Sequence, residues 1–180
     1  GMAHFSTMLL HEEMNGLQGR VEFAKRIEQR YNDGRQVDAE RPLVRIDGSK
    51  EGDKTVTYDK GGWVFWMLHD LMGRDANLAG LQAFARNHVT NPDHPLLQDF
   101  VEEMRPFAPD STASDAFTRQ WFFEVVVPEY HFEGVKREAA GSRWVVAGTV
   151  RNAGTGRMPI EIAAVHGERF AWGDPAVERV

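Results

Sequence analysis

Apolar residues recur at spacings of three and four through the first two thirds of the chain, and at a spacing of two beyond it. Leu17, Val21, Ala24, Ile27 and Tyr31 fall on one face of a helix. Phe5, Met8 and Leu9 predict a helical stretch ahead of it, and Gly16 marks a bend between the two. Asn32-Asp33-Gly34 is a turn signal. Residues 32–57 are rich in charge and glycine, contain Pro42, and offer only Leu43, Val44 and Ile46 for burial. A connection of that length without regular structure is usually functional or mobile.

Between residues 61 and 72 the pattern is apolar almost all round. Trp63, Val64, Phe65, Trp66, Met67, Leu68, Leu71 and Met72 leave only His69 and Asp70 as a polar edge, which predicts a centrally buried helix ended by Gly73. Three further helices follow in the pattern. Asp75 is placed to cap one carrying Leu78, Leu81, Phe84 and Ala85. Asp93 and Pro95 open the next, with Leu96, Leu97, Phe100, Val101 and Met104 inward and Pro106 and Pro109 ending it. Thr112 and Asp115 have capping-box spacing ahead of Phe117 and Trp121.

After about residue 122 the period changes. Val125, Val126 and Val127 are β-branched, and Tyr130 and Phe132 alternate with His131 and Glu133. Trp144, Val146 and Val150 alternate with Val145, Ala147 and Thr149, and Ile160, Ile162 and Ala164 form a further run. Asn152-Ala153-Gly154-Thr155-Gly156 reads as a hairpin loop between the last two. The fold class expected is α+β: a helical domain over residues 1–122, then a small antiparallel β unit over 123–180.

Composition narrows the function classes. The chain has 180 residues, 42% of them hydrophobic and 27% charged, which are globular values that argue against disorder. It has no cysteine, so disulfides, thiolate zinc fingers and cysteine nucleophiles are excluded. A net charge of −6 gives no electrostatic footprint for nucleic acid. No apolar run reaches the roughly 20 residues of a membrane-spanning helix, and no signal peptide is visible. Gly1 ahead of Met2 reads as a residue left by tag removal.

Most motif-like stretches read as ordinary surface. His11-Glu12-Glu13-Met14-Asn15 begins like a helical zinc-protease site, but that site needs a second histidine one turn on, where this chain has Asn15. His4 and His11 share a face without a close third ligand, and His88 and His94 flank a loop at Asn91-Pro92; all four are expected at the surface. Gly154-Thr155-Gly156 lacks the strand–loop–helix context of a phosphate cradle. Thr57-Tyr58-Asp59-Lys60-Gly61-Gly62-Trp63 is more informative, because it joins the polar connection to the most buried helix. An aromatic before a helix is usually a packing residue. A tyrosine on a cleft rim, however, is a hydrogen-bond donor at neutral pH, with an unperturbed pKa of about 10, and can stabilise a developing oxyanion.

That stretch resembles the Tyr-x-Lys-Gly motif of the M1 family of zinc aminopeptidases, the gluzincins. In the family an apolar helix and then a glycine follow the motif, as Gly61 to Leu68 and Gly73 do here. Gly1-Met2-Ala3-His4-Phe5-Ser6 looks like the family's Glu-Gly-x-Ala-x-aromatic stretch without the Glu that is its third zinc ligand. The resemblance covers roughly residues 1–125. It implies that Tyr58 is the tyrosine that donates to the oxyanion of the tetrahedral intermediate. It also implies zinc in the intact parent and none in this chain, because the HExxH segment, its general-base Glu and the third ligand are absent. So is the strand that holds the substrate's amino group. The partners implied are the remainder of the parent peptidase chain and a peptide substrate, with no nucleic acid and no membrane segment in this chain. The β tail looks somewhat like the segment that follows the peptidase region in bacterial, membrane-transporter-associated M1-like proteins. The resemblance therefore gives a fragment that forms one wall of a peptidase cleft and is inactive alone. The alternative is a noncatalytic helical-plus-β interaction module in which Tyr58 only packs.

Overall fold

The structure is a computed structural model describing residues 1–35, 37, 39–90, 93–164 and 176–179. The fold is α+β, with helices through the first part of the chain and antiparallel strands at its end. It divides into two compact units, Gly1–Val125 and Val126–Val180.

In the first unit, α1 (Met2–Gly34) is two arms joined at Gly16, whose φ of 66° lies in the left-handed region that glycine enters without penalty. The arms fold against each other. His11 stacks on Phe23 with ring centroids 5.5 Å apart, and a Cβ at Gly19 would lie 2.9 Å from the His11 carbonyl oxygen. Met8 from the first arm and Ala24 and Ile27 from the second form a buried cluster capped by Phe23, Trp63 and Trp66. Leu17 departs from the expected face: beside the Gly16 bend it is exposed. The Asn32-Asp33-Gly34 signal is taken up as the last turn of α1 rather than as a separate loop.

A short 3₁₀ turn spans Leu43–Arg45. The connection is anchored by charge, since Leu43, Val44 and Ile46 are only half-buried while Asp53 is buried. Asp53 accepts from Arg41 and from the backbone N–H groups of Gly48 (3.0 Å) and Lys50 (3.3 Å). Asp53 also opens the helix, earlier than the pattern suggests. A turn α2 (Asp53–Thr55), a π-helical turn (Val56–Lys60) and α3 (Gly61–Met72) follow without a break.

Helix α3 is central, as its apolar circumference predicts. Gly61, Gly62, Val64, Leu68, His69 and Met72 are buried. His69 is no polar edge: it donates through Nδ1 to Oδ1 of buried Asn77 at 3.0 Å. Gly73, at φ 80°, ends α3 and also serves as N-cap of α4 (Arg74–His88), so Asp75 sits in the first turn rather than at the cap. In α5 (Leu97–Met104) Asp99 accepts from the Leu96 backbone N–H at 2.7 Å. In α6 (Ser111–Phe122) the cap is Asp110, which accepts from Ala113 N–H at 3.0 Å. Asp115 instead holds Arg105 through two bonds of 2.7 and 2.8 Å. Phe65 meets Phe100 and Phe122 edge-on, and Phe84 meets Phe100, so an aromatic cluster joins α3 to α4, α5 and α6.

In the second unit, β1 (Tyr130–Ala140) and β2 (Arg143–Asn152) form an antiparallel hairpin turned at Gly141-Ser142, with Gly141 at φ 65°. The register shifts between Glu133 and Lys136, where Gly134 and Val135 oppose Gly148 in a bulge. The run Val125–Val127 forms no strand. The Asn152–Gly156 segment is not a hairpin loop. It folds back on residues 127–129, with Ala153 N–H on Glu129 O (2.7 Å) and Thr155 N–H on Val127 O (2.9 Å). β3 (Glu161–Ala164) pairs instead with β4 (Ala176–Arg179).

Candidate functional site

Tyr58 lies on the π-helical turn between α2 and α3. A π turn inserts one residue into a helix and offsets its carbonyls from the regular ladder; such turns are frequent at functional sites. The side chain of Tyr58 is 46% exposed, while both charged neighbours in the motif are buried: Asp59 at 5% and Lys60 at 6%. The turn therefore sends its aromatic residue outward and its two charges inward.

Each buried charge has a partner, as burial demands. Asp59 Oδ1 accepts from Arg30 Nη2 at 2.7 Å and Arg30 Nε at 3.1 Å. Lys60 pairs with Glu40, whose other oxygen accepts from the Tyr31 hydroxyl at 2.8 Å. Burial, together with the Glu40 carboxylate, pushes the Tyr31 phenol well above its usual range. Both anchors tie the turn to what precedes it: Arg30 and Tyr31 are on the second arm of α1, and Glu40 is on the connection.

The first arm of α1 contributes His4. Its Nδ1 lies 2.7 Å from the Tyr58 carbonyl oxygen and 3.4 Å from Asp59 Oδ1. A carbonyl only accepts, so Nδ1 carries the proton. Nε2 then faces Arg30 Nη2 at 3.5 Å as an acceptor. The His4 ring also lies against the Tyr58 ring, with centroids 5.7 Å apart. Gly1 packs on α3, where a Cβ at Gly61 would lie 3.0 Å from Gly1 Cα. Burial lowers the Gly1 α-amine from its usual 8.0 to about 6, against the opposing pull of Asp59.

These groups line an open cleft of about 570 Å³, whose walls include His4, Arg30, Asp33, Lys54, Tyr58 and Asp59. Tyr58, exposed, and Lys54, one helical turn earlier, are both among its lining residues. The tyrosine hydroxyl gives this cleft a hydrogen-bond donor.

The other sequence candidates are placed elsewhere. His11 stacks on Phe23, half-buried rather than at the surface. His88 is likewise partly buried and pairs with Glu103 at 2.6 Å; Asn87 and His88 together draw the Glu103 carboxyl below its usual range. His94 is exposed, and the Asn91-Pro92 loop lies outside the described residues. Sequence reasoning singled out Tyr58 and missed His4, Arg30 and Asp59, because 54 and 29 residues separate the bonded pairs. Among the described residues no group of three His, Asp or Glu side chains is placed to hold a metal ion. No helix among the described residues is long and apolar enough to cross a membrane. No protein-family model, curated protein or solved structure matches the chain.

Proposed function

We propose that Gly1–Val125 is the C-terminal part of the catalytic region of an M1-type zinc aminopeptidase, forming one wall of the active-site cleft and inactive by itself. Tyr58 is its catalytic residue. The phenol donates a hydrogen bond to the oxyanion that forms when water adds to a scissile carbonyl. The observation that carries this reading is the outward Tyr58 on a turn whose flanking charges are buried and paired. The first arm of α1, which carries the Ala3 and Phe5 of the family-like stretch, supports it: His4 on that arm meets the Tyr58 carbonyl and ring. The zinc ligands and the general base belong to the preceding segment of the parent.

The test starts with the source gene. The reading expects an open frame upstream of the Ala3 codon that encodes HExxH and then Glu-Gly, and a protein extended to include them should hydrolyse an aminoacyl-p-nitroanilide. Tyr58→Phe in that protein should lower kcat by on the order of 10²–10³, the usual effect of removing one oxyanion donor, with folding unchanged. Full activity in the variant would remove the role given to Tyr58. A native start at Met2 would remove the peptidase reading altogether.

A noncatalytic interaction module is the second reading, and the β hairpin favours it. Phe132, Val135, Trp144, Val145 and Val146 are all more than half exposed. An upstream frame without zinc ligands would favour this reading.

A further inference from the structure

The π turn raises a question of geometry. A tyrosine side chain that is 46% exposed has little packing to hold it, yet an oxyanion donor must be held in place. The structure surrounds the turn with a small polar relay. Arg30 reaches Asp59 through two nitrogens, at 2.7 and 3.1 Å, and the Asp59 side chain is almost wholly buried. The same guanidinium approaches His4 Nε2 at 3.5 Å. Donation from Arg30 to Nε2 leaves the proton on Nδ1, and Nδ1 donates to the Tyr58 carbonyl at 2.7 Å. His4 then lies against the Tyr58 ring. One exposed cation thus fixes both the buried acid beside Tyr58 and the tautomer and orientation of the imidazole that holds the Tyr58 backbone and ring. Arg30 itself makes no hydrogen bond or ring contact to Tyr58 among the described residues.

We propose that Arg30 is a positioning residue for Tyr58, acting through Asp59 and His4 to hold the π turn and the direction in which the phenol points. This deepens the proposed role of Tyr58 and rests on it for its catalytic meaning. The geometric statement can be tested on the 180-residue chain without any peptidase activity.

The chain has three tyrosines, Tyr31, Tyr58 and Tyr130, so ring-labelled tyrosine gives a small set of NMR signals, with Tyr58 assigned by its loss in Tyr58→Phe. The reporter is the nuclear Overhauser contact between the His4 and Tyr58 rings. Half of the Arg30 side chain is exposed, so methionine fits in its place, but Arg30→Met takes the guanidinium away from the buried Asp59. The expected result for Arg30→Met is loss of most of that contact and broadening of the Tyr58 ring signals, with Tyr130 unmoved. Arg30→Lys, which keeps a cation for Asp59, should restore part of the contact. A changed charge alone would move chemical shifts but leave the ring-to-ring contact intact. A contact retained at full strength in Arg30→Met therefore overturns the proposal. So does a variant that abolishes the His11–Phe23 ring contact along with the His4–Tyr58 one, because the role would then be general stability. Either outcome leaves the peptidase reading standing on its own test, and that reading can fail while the positioning relay holds.

Discussion

Gly62 is where the candidate site meets the core, and its replacement by alanine is the sharpest test of the packing described above. A Cβ at Gly62 would lie 2.7 Å from His4 Cβ, with Ile27 Cδ1 at 3.6 Å and the Gly1 carbonyl oxygen at 3.7 Å. Carbon atoms in good contact sit about 3.5–4.0 Å apart, so the new methyl is about 1 Å too close to one neighbour. That neighbour is a Cβ, tied rigidly to its backbone, so relief requires the first arm of α1 to move off α3. Overpacking of this kind costs about 1–3 kcal/mol, and the need to shift a helix places it near the upper end. Against this, alanine in a helix interior gains about 1 kcal/mol over glycine. The net expectation is a loss of about 2 kcal/mol. With a urea slope of about 2 kcal/mol/M, the midpoint of helix loss followed by far-UV circular dichroism should fall by about 1 M. The clash can be removed from the other side. In a His4→Gly background the same Gly62→Ala change should become neutral or stabilising, so the two substitutions should couple by more than 1 kcal/mol in a double-mutant cycle. A Gly62→Ala chain as stable as its parent would refute the claim that α1 and α3 approach too closely here for a side chain.

Three further outcomes follow from single contacts. Asn77→Ala removes the acceptor for His69 Nδ1 inside the core, and an unsatisfied buried donor costs about 1–3 kcal/mol, to be read as a lower urea midpoint. Asp110→Ala removes the α6 cap and should cost about 1 kcal/mol in the same assay, whereas Asp110→Asn should cost much less. The Gly1 amine predicts a pH dependence. Its pKa is lowered from 8.0 to about 6, so between these values the unfolded chain binds more protons than the folded one, and stability falls as the pH drops from 8 to 6. Two pKa units correspond to about 2.7 kcal/mol, which solvent screening of this partly exposed group reduces to about 1 kcal/mol. Acetylation of the amine should remove that slope, and an acetylated chain with the same slope as the free one would count against it.

The helices were legible because their information is local. An apolar residue every third or fourth position needs no partner to be recognised, and Gly16 and Gly73 carry their conformational role in their identity. The misassigned hairpin had a local signal too. Gly141-Ser142 is a two-residue turn sequence between alternating runs, a signal that the reading of Asn152–Gly156 as the hairpin loop did not take into account. What could not be read was anything decided by pairing across the chain. His69 looked like a polar edge because its acceptor, Asn77, belongs to the next helix. Asp53 looked like part of a loop because Arg41, Gly48 and Lys50 converge on it only after the connection folds.

The same limit applies to the site, and there it bears on function. Nothing in the sequence marks Asp59 and Lys60 as buried, since charged side chains seldom are. Their burial depends on Arg30 and Glu40, 29 and 20 residues away. A turn selected for packing alone would reverse the arrangement found: the tyrosine would fill the space between α1 and α3, and the aspartate and lysine would stay in water, where neither loses hydration. Instead both charges are desolvated and need partners for compensation, while the aromatic face of Tyr58 remains half exposed. Replacing a buried ion pair with apolar side chains is often neutral or stabilising, so stability alone does not account for this choice of residues. Two paired charges do define the rotation of the turn about its axis, because Asp59 is drawn toward Arg30 and Lys60 toward Glu40. Fixing that rotation matters where the exposed residue has a target.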